Sequence, residues 1–139
     1  MNFKIVSKGD DRSEKIKAMM RQYLSDFGLV YDKEAPDLVI SVGGDGTFLE
    51  AFHRYVHRLE DTAFIGIHTG HLGFYTDWTP NDVERLIIEI AKTPFQTVEY
   101  PLLEVIIRGK SGGKEDRILA LNEAMIAAYF VQVVREVDL

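Results

Sequence analysis

The sequence predicts an α/β domain, in which a parallel sheet is flanked by helices, followed by a β-rich remainder. Two observations carry this prediction. Up to about Pro94, short apolar runs alternate with segments whose apolar residues recur at helical spacing, an alternation typical of parallel sheets with helices on their faces. Past Thr97 the pattern changes to longer runs of strand type. We therefore expect an α/β unit over residues 1–95 and a β-rich segment over residues 96–139.

The first strand and the first helix follow from the amino-terminal segment. Phe3 to Ser7 reads as a short strand, and Asp11 followed by Glu14 resembles a capping box that opens a helix. Gly28 should end this helix. The apolar residues at helical spacing, which we expect in the core, are Ile16, Met19, Met20, Tyr23, Leu24 and Phe27.

Two further pairs of strand and helix complete the predicted α/β unit. Leu38 to Val42 is nearly continuous in apolar residues, as strands buried on both faces of a parallel sheet are, and a helix should begin near Thr47. Ala63 to His68 is the next strand, and Thr79 should cap the third helix. The residues expected on the buried faces of these helices are Phe48, Phe52, Tyr55, Val56 and Leu59, then Val83, Leu86, Ile87, Ile90 and Ala91.

The remainder of the chain reads as strands. The segments VEYPLLEVIIRG and RILALNEAMIA should form two strands, joined as a hairpin by the glycine-rich turn GKSGGKE. A further alternating run from Phe130 to Leu139 should form a half-exposed strand. Left unpaired, such a strand would expose a sheet edge and favour association, so we expect a homo-oligomer.

Composition narrows the range of partners. The formal net charge of -6 argues against general nucleic-acid binding, which needs clustered Lys and Arg. No apolar run approaches the roughly 18 to 20 residues of a membrane span, and the charged amino end lacks the apolar stretch of a secretory signal. The absence of cysteine excludes a disulfide framework and fits a reducing compartment. We expect a cytoplasmic protein without nucleic-acid or membrane partners.

A glycine-rich turn lies between the second predicted strand and its helix. Gly43, Gly44 and Gly46 can take positive φ and let another molecule come within backbone contact. Free N–H groups at the start of the helix would favour an anion there. The spacing matches neither GxGxxG nor the P-loop, and no lysine follows the last glycine. Phosphate charge would therefore have to be offset by backbone dipoles and a divalent cation such as Mg²⁺.

Asp45 places a carboxylate inside this turn. A carboxylate beside bound phosphate is repelled unless it holds a metal ion or accepts a proton from an attacking hydroxyl group, and phosphoryl transfer uses carboxylates in these ways. An aspartate before a helix is also a common cap. The turn by itself leaves both interpretations open.

Three motifs in the chain resemble those of the NAD kinase family. The GGDGT motif from Gly43 to Thr47 resembles one that NAD kinases share with diacylglycerol and sphingosine kinases and, in variant form, with phosphofructokinases. The loop IGIHTGHLGFYTDW is similar to the stretch that NAD kinases carry after their third strand. Asn122 and Glu123 resemble the Asn-Glu pair that is the third marker of the family. Because lipid kinases share only the first motif, the chain is identified as a member of the NAD kinase family, similar to the amino-terminal part of a Gram-positive bacterial enzyme.

The resemblance implies a Rossmann-like fold of the phosphofructokinase and NAD kinase type, and it implies a reaction. A phosphoryl group would pass from ATP or polyphosphate to the 2′-hydroxyl of the adenosine ribose of NAD, giving NADP, with Mg²⁺ or another divalent cation. Asp45 would accept the proton of that hydroxyl group. Phe74 would line the adenine pocket, and Asn122 and Glu123 would hydrogen-bond the adenosine half of NAD. The residues that would face the transferred phosphate and the NAD are Gly43, Gly44, Asp45, Gly46 and Thr47.

The resemblance also leaves alternatives. Members of the family continue into a β-rich second domain with another glycine-rich stretch, and nothing in this sequence matches that stretch. We therefore expect an amino-terminal part that lacks most of the second domain. A catalytically incomplete domain that binds NAD or NADP is the main alternative to a kinase, and a lipid kinase of the diacylglycerol type is a further one. The HRYVH segment resembles the zinc motif HExxH, but Arg54 stands where Glu would be, so we expect no metal site built from side chains.

Overall fold

The computed structural model describes residues 1–92, 101–108, 115–121 and 131–138 and divides into two compact units, Met1–Thr97 and Val98–Leu139. The strands of the first unit are parallel and lie in the order β2-β1-β3-β4. Helices follow β1, β3 and β4, so the predicted parallel sheet flanked by helices is confirmed. The elements of this unit are β1 (Asn2–Ser7), α1 (Asp11–Asp26), β2 (Val30–Tyr31), β3 (Leu38–Gly43), α2 (Asp45–Arg54), β4 (Ala63–His68) and α3 (Val83–Lys92).

Two apolar layers cover the two faces of this sheet. Successive side chains of a strand point to opposite faces, so Ile40 packs in the layer of α1 and α3, whereas its neighbour Val39 packs in the layer of α2. All residues of β3 are buried, which makes this strand the centre of the unit. The larger layer consists of Phe3, Ile5, Ile16, Met20, Leu24, Leu29, Leu38, Ile40, Val42, Ile67, Val83, Leu86, Ile87 and Ile90. The smaller one consists of Val6, Val39, Ala51 and Tyr55, with Phe64 packed against it.

The N-cap of helix α1 lies one residue before the predicted cap. Asp10 is the N-cap in an extended conformation, and Asp11 is already helical, so the prediction that Asp11 caps the helix is wrong. The carbonyl group of Asp10 accepts the N–H of Glu14 at 2.9 Å, which closes the first turn. This hydrogen bond requires the extended residue to lie one position earlier than the side-chain pattern indicates.

Only a narrow stripe of α1 is buried. Ile16, Met20 and Leu24 recur every four residues and pack on the sheet. Tyr23 and Phe27, which were expected in the core, are 50% and 45% exposed. Their prediction as core residues is wrong, because the sheet covers a single line of positions on the helix and these two lie beside it. Phe27 instead has the ammonium group of Lys92 at 5.6 Å from its ring centroid.

The end of α1 is closed by Gly28, as predicted. Gly28 has φ of 94°, a left-handed conformation that suits glycine. Its N–H donates to the carbonyl oxygen of Ser25 at 3.0 Å, and the N–H of Leu29 donates to that of Leu24 at 3.0 Å. These two bonds are those of a Schellman motif, which satisfies the last free carbonyl groups of the helix.

The remaining elements of the first unit differ from the predictions in small ways. Strand β2 was not predicted, because two residues are too few to show a periodic pattern. Helix α2 begins at Asp45 rather than near Thr47, and a 3₁₀ turn at Val56–Arg58 follows it. Thr79 caps the 3₁₀ turn Pro80–Asp82 that leads into α3, and the predicted buried face of α3 is confirmed. In the part of the chain that the structure describes, no helix combines the length and the apolar character that crossing a membrane demands.

The second unit contains an antiparallel sheet in the order β6-β5-β7, from β5 (Pro101–Arg108), β6 (Glu115–Ala120) and β7 (Val131–Asp138). The turn expected between β5 and β6, residues 109–114, lies outside the described residues. The strand expected from Phe130 to Leu139 is found as β7, which pairs with β5 and is therefore not unpaired; Phe130 and Leu139 themselves are outside the described part. The buried carboxylate of Glu104 accepts a hydrogen bond from Arg117 Nη1 at 2.8 Å.

Replacement of Gly28 by alanine should destabilise the protein by about 1 to 2 kcal/mol, because a Cβ atom is unfavourable at positive φ. No atom within 4 Å would meet that Cβ atom, so the loss reports the backbone alone. Urea denaturation followed by circular dichroism measures it. The matched variant Gly28→Asn should lose less, since asparagine tolerates this conformation; an equal loss in both variants would contradict the assignment.

The neighbours Met20 and Met19 provide a second test, of which face of α1 is buried. Met20 is 0% exposed and Met19 only partly buried. Met20→Ala should therefore lower the free energy of unfolding by about 2 to 5 kcal/mol through lost burial and an unfilled cavity. Met19→Ala should lower the free energy of unfolding clearly less. Similar losses at both positions would show that the helix is rotated from the orientation described.

Candidate active site

The carboxyl ends of β1 and β3 lie side by side at a topological switch point. The helix that follows β1 packs on one face of the sheet, and the helix that follows β3 packs on the other. Open α/β folds bind ligands in the crevice outside the carboxyl ends of their strands at such a point. The candidate site therefore involves the loop after β1, the turn after β3 and the loop that follows β4.

Hydrogen bonds join these three connections. The N–H of Lys8 donates to the carbonyl oxygen of Val42 at 2.8 Å, which brings the first loop to the end of β3. The N–H of Thr69 donates to the carbonyl oxygen of Gly43 at 2.8 Å, which brings in the loop after β4. Arg12 Nη1, from the first turn of α1, donates to the carbonyl oxygen of Thr69 at 2.9 Å. Hydrogen bonds therefore link all three connections at this edge of the sheet.

The three glycines of the turn have different reasons to be glycine. None has positive φ, since Gly9 and Gly28 are the positive-φ glycines of the described residues, so the turn does not use the left-handed conformation that glycine allows. A Cβ atom on Gly43 would collide with the side chain of Thr47 and lie 2.8 Å from the Cβ atom of Lys8, so packing requires glycine there.

Gly44 and Gly46 are under no such constraint. A Cβ atom at either position would meet nothing within 4 Å. Gly44 is the N-cap of α2 with φ of -164°, an extended conformation that any residue adopts, and Gly46 lies in the first helical turn. Neither the packing nor the backbone of the described residues explains these two glycines. They border open space on either side of Asp45.

Asp45 is the first residue of α2, and its carboxylate does not cap that helix. Oδ2 accepts the backbone N–H of Phe74 at 2.8 Å, and Oδ1 accepts that of Tyr75 at 3.0 Å. The capping interpretation is therefore wrong, because both oxygens face the loop after β4. An ionised carboxylate has about four lone-pair positions, so two hydrogen bonds leave it able to accept a further donor.

The loop is also held by aromatic stacking and by close packing on β4. The ring of Tyr75 stacks on that of Phe48, with centroids 5.3 Å apart and planes 9° apart. Phe48 lies one helical turn beyond Asp45, so the two residues lie on the same side of α2. Thr76 packs over Gly66, where a Cβ atom would lie 2.7 Å from its Cγ2. The backbone near the carboxylate is thus fixed from two sides.

The predicted site residues divide into those that the structure brings together and those that it does not place. Residues 43–47 and the backbone of Phe74 meet at Asp45. The side chain of Phe74 is 88% exposed, so it is available to a ligand. Asn122 and Glu123 lie outside the described residues.

Two basic residues were missed by the sequence reasoning. Lys8 follows β1 and packs beside Gly43, although the sequence predicted no lysine for the glycine turn. Arg12 reaches Thr69 from α1. The available signal was the Lys-Gly pair directly after the first strand, where Gly9 has φ of 99°. Among the described residues no group of three or more His, Cys, Asp or Glu side chains could hold a metal ion.

Comparisons with known proteins identify the family. Residues 4–94 match the family model of the ATP-NAD kinase N-terminal domain. NAD kinase 1 of Oceanobacillus iheyensis is 95% identical over 126 residues, which are 91% of this chain and 47% of that protein. The NAD kinase of Geobacillus stearothermophilus is 60% identical over 137 residues, which are 99% of this chain and 51% of that protein.

A solved structure shows the same fold at low sequence identity. The crystal structure of yeast NADH kinase complexed with NADH matches with a TM-score of 0.67 and 15% identity, over 88% of this chain and 47% of that one. The chain thus spans about half the length of the relatives it matches. Because the family model covers most of the first unit and includes the glycine turn, Asp45 and the loop after β4, the chain belongs to the NAD kinase family.

Proposed function

We propose that this chain provides the acceptor site of an NAD kinase, which transfers a phosphoryl group from ATP or polyphosphate to the 2′-hydroxyl of the adenosine ribose of NAD and produces NADP. The observation that carries the proposal is the open space beside Gly44 and Gly46, the two residues that flank Asp45 in the chain. Glycines of this kind allow a ligand to approach the backbone closely. The names of the relatives supply the phosphorylation of NAD, and the resemblance to the family implies the 2′-hydroxyl group and the donor.

Asp45 would act as the proton acceptor. The 2′-hydroxyl group gives its proton to the carboxylate, its oxygen bonds to the terminal phosphorus of the donor, and the bond from that phosphorus to the bridging oxygen breaks, so that ADP or a shortened polyphosphate leaves. The transition state of such a transfer is loose, so positioning matters more than basicity. The N–H groups of Phe74 and Tyr75 support this role because they fix the direction of the carboxylate.

The donor phosphates would be held by local groups, since the chain carries a net charge of -6. The N-terminus of α2 offers free N–H groups and the positive end of its dipole. Lys8 and Arg12 add positive charge at the same edge of the sheet. Mg²⁺ is commonly bound by one or two carboxylates together with substrate phosphates. Among the described residues no cluster of side chains could hold a metal ion. This fits a cation that arrives bound to the donor phosphates and offsets their charge.

The adenosine half of NAD would be bound by Phe74, Asn122 and Glu123. An exposed aromatic ring can stack on a base for about 1 to 3 kcal/mol, which suits the exposed ring of Phe74. The roles of Asn122 and Glu123 rest on the resemblance alone.

We also propose that the protein works in the cytoplasm and forms a homo-oligomer. The edge position of β7 in its sheet supports the homo-oligomer.

The variant Asp45→Asn tests the proton acceptor. With NAD, ATP and Mg²⁺ supplied, NADP formation should fall by at least about 100-fold, the usual contribution of a general base. NAD should still raise the melting temperature (Tm) of the variant, since binding does not require proton transfer. Glu50→Gln, an exposed acid of the same helix, is the matched control and should leave both readouts unchanged.

The possible outcomes separate the candidate functions. Undiminished NADP formation by Asp45→Asn would contradict the proposed role of Asp45 as proton acceptor. A wild-type protein that is stabilised by NAD but forms no NADP would be a nucleotide-binding domain without catalysis. A ligand at 100 times its dissociation constant should add about 2.7 kcal/mol to the free energy of unfolding, so the binding readout is large enough to measure.

The variant Gly46→Ala tests the open space beside Gly46. Alanine in the first turn of α2 should raise the free energy of unfolding by up to about 1 kcal/mol, since nothing lies near its Cβ atom. The increase in Tm produced by NAD should shrink, because the methyl group fills the approach to the backbone. Gly70→Ala, where a Cβ atom also meets nothing, is the control. A full response to NAD in Gly46→Ala would show that the ligand lies elsewhere.

A further inference from the structure

Gly73 lies directly against the carboxylate of Asp45. A Cβ atom built on Gly73 would collide with that carboxylate and would lie 2.7 Å from its Oδ2 atom. The three nearest atoms to such a Cβ all belong to Asp45. No φ in the left-handed range is found at this position, so the backbone conformation does not demand glycine. The contact with Asp45 is therefore what excludes a side chain at residue 73.

We propose that Gly73 is a positioning residue for Asp45: the absence of a side chain at residue 73 lets the loop after β4 approach close enough for its N–H groups to fix the carboxylate. The donors are the next two residues of the loop, Phe74 and Tyr75, at 2.8 and 3.0 Å. A methyl group at residue 73 and these hydrogen bonds cannot coexist. Any substitution must move either the carboxylate or the loop.

Neither partner can move without losing the arrangement. Asp45 has a short side chain on the first residue of α2, whose backbone is fixed by the helix. The loop is held on its other side by the stacking of Tyr75 on Phe48 at 5.3 Å between centroids. A Cβ atom at less than 3 Å from this carboxylate can thus be accommodated only if the hydrogen bonds from Phe74 and Tyr75 break. The carboxylate would turn away from one or both N–H groups.

Gly70 provides a matched control in the same loop. A Cβ atom there would meet nothing within 4 Å, and its φ is likewise outside the left-handed range. Gly73→Ala and Gly70→Ala thus add the same methyl group to the same loop. Only the first of them reaches Asp45.

A double-mutant cycle measures the contact without any enzymatic readout. Gly73→Ala should lower the Tm by at least about 4 °C, the size expected for an overpacked site in a small domain, whereas Gly70→Ala should not. Asp45→Ala removes the carboxylate. In that background Gly73→Ala should lower the Tm by less than half as much, because the effects of mutations at contacting residues are not additive. Equal losses in both backgrounds, or no loss in either, would overturn the proposal.

Amide hydrogen exchange supplies a second measurement if one variant is poorly folded. The N–H groups of Phe74 and Tyr75 should exchange at least about ten times faster in Gly73→Ala than in the wild-type protein, since exchange requires their hydrogen bonds to open. Gly70→Ala should leave both rates unchanged. Unchanged rates in a folded Gly73→Ala protein would also overturn the proposal.

The catalytic consequence rests on the proposed function. A displacement of about 1 Å can cost about 100-fold in rate, so Gly73→Ala should lower kcat for NADP formation by about that factor. KM for NAD should change much less, because the ring of Phe74 and the space beside Gly44 remain. If the double-mutant cycle shows coupling but Gly73→Ala lowers kcat by less than threefold, the positioning role is overturned.

The two proposals fail in different ways. A wild-type protein that forms no NADP, while the stability cycle shows coupling, would remove the kinase proposal and leave the contact between Gly73 and Asp45 supported. A cycle without coupling, in a protein that loses NADP formation on Asp45→Asn, would keep the kinase and remove Gly73 as a positioning residue.

Discussion

The Asp45 carboxylate, held by the N–H groups of Phe74 and Tyr75, is the constraint on which the candidate site depends. Hydrogen bonds to an ionised acceptor are shorter and stronger than those between neutral groups, and here each oxygen accepts one. The pair therefore fixes both the position and the plane of the carboxylate. It also joins the first turn of α2 to a loop 29 and 30 residues further along the chain. A change in either element reaches the other.

Close approach at three glycines makes this arrangement possible. A side chain is excluded at Gly43 by Thr47 and Lys8, at Gly66 by Thr76, and at Gly73 by Asp45. The contacts at Gly43 and Gly73 each bring two connections at the carboxyl edge of the sheet together, whereas the contact at Gly66 packs the loop after β4 on that strand. Gly44 and Gly46 differ, because the space that would receive their side chains is open. The glycines of the site thus differ: some allow the protein to pack on itself, and others border open space that we propose a ligand enters.

Positively charged groups lie at the sheet edge, although the chain as a whole is acidic. A net charge of -6 would repel nucleotide phosphates on average. Near the sheet edge, the loop after β1 contributes Lys8 and the start of α1 contributes Arg12, while the N-termini of two helices point their dipoles there. An anionic ligand would therefore be attracted locally. The carboxylates of Asp10, Asp11 and Asp45 lie at the same edge, so such an attraction would come from local donors rather than from a net positive field.

Local patterns in the sequence determined the strands β1, β3 and β4, the capped α3 and the closing role of Gly28, because apolar period and capping act within a few residues. They also singled out Asp45. Tertiary structure decided which side of α1 faces the sheet, and so left Tyr23 exposed. It alone decided what the Asp45 carboxylate binds and that Lys8 lies beside the glycine turn. Those contacts follow from the parallel register of β1, β3 and β4, which aligns distant residues at one edge and which no local pattern encodes.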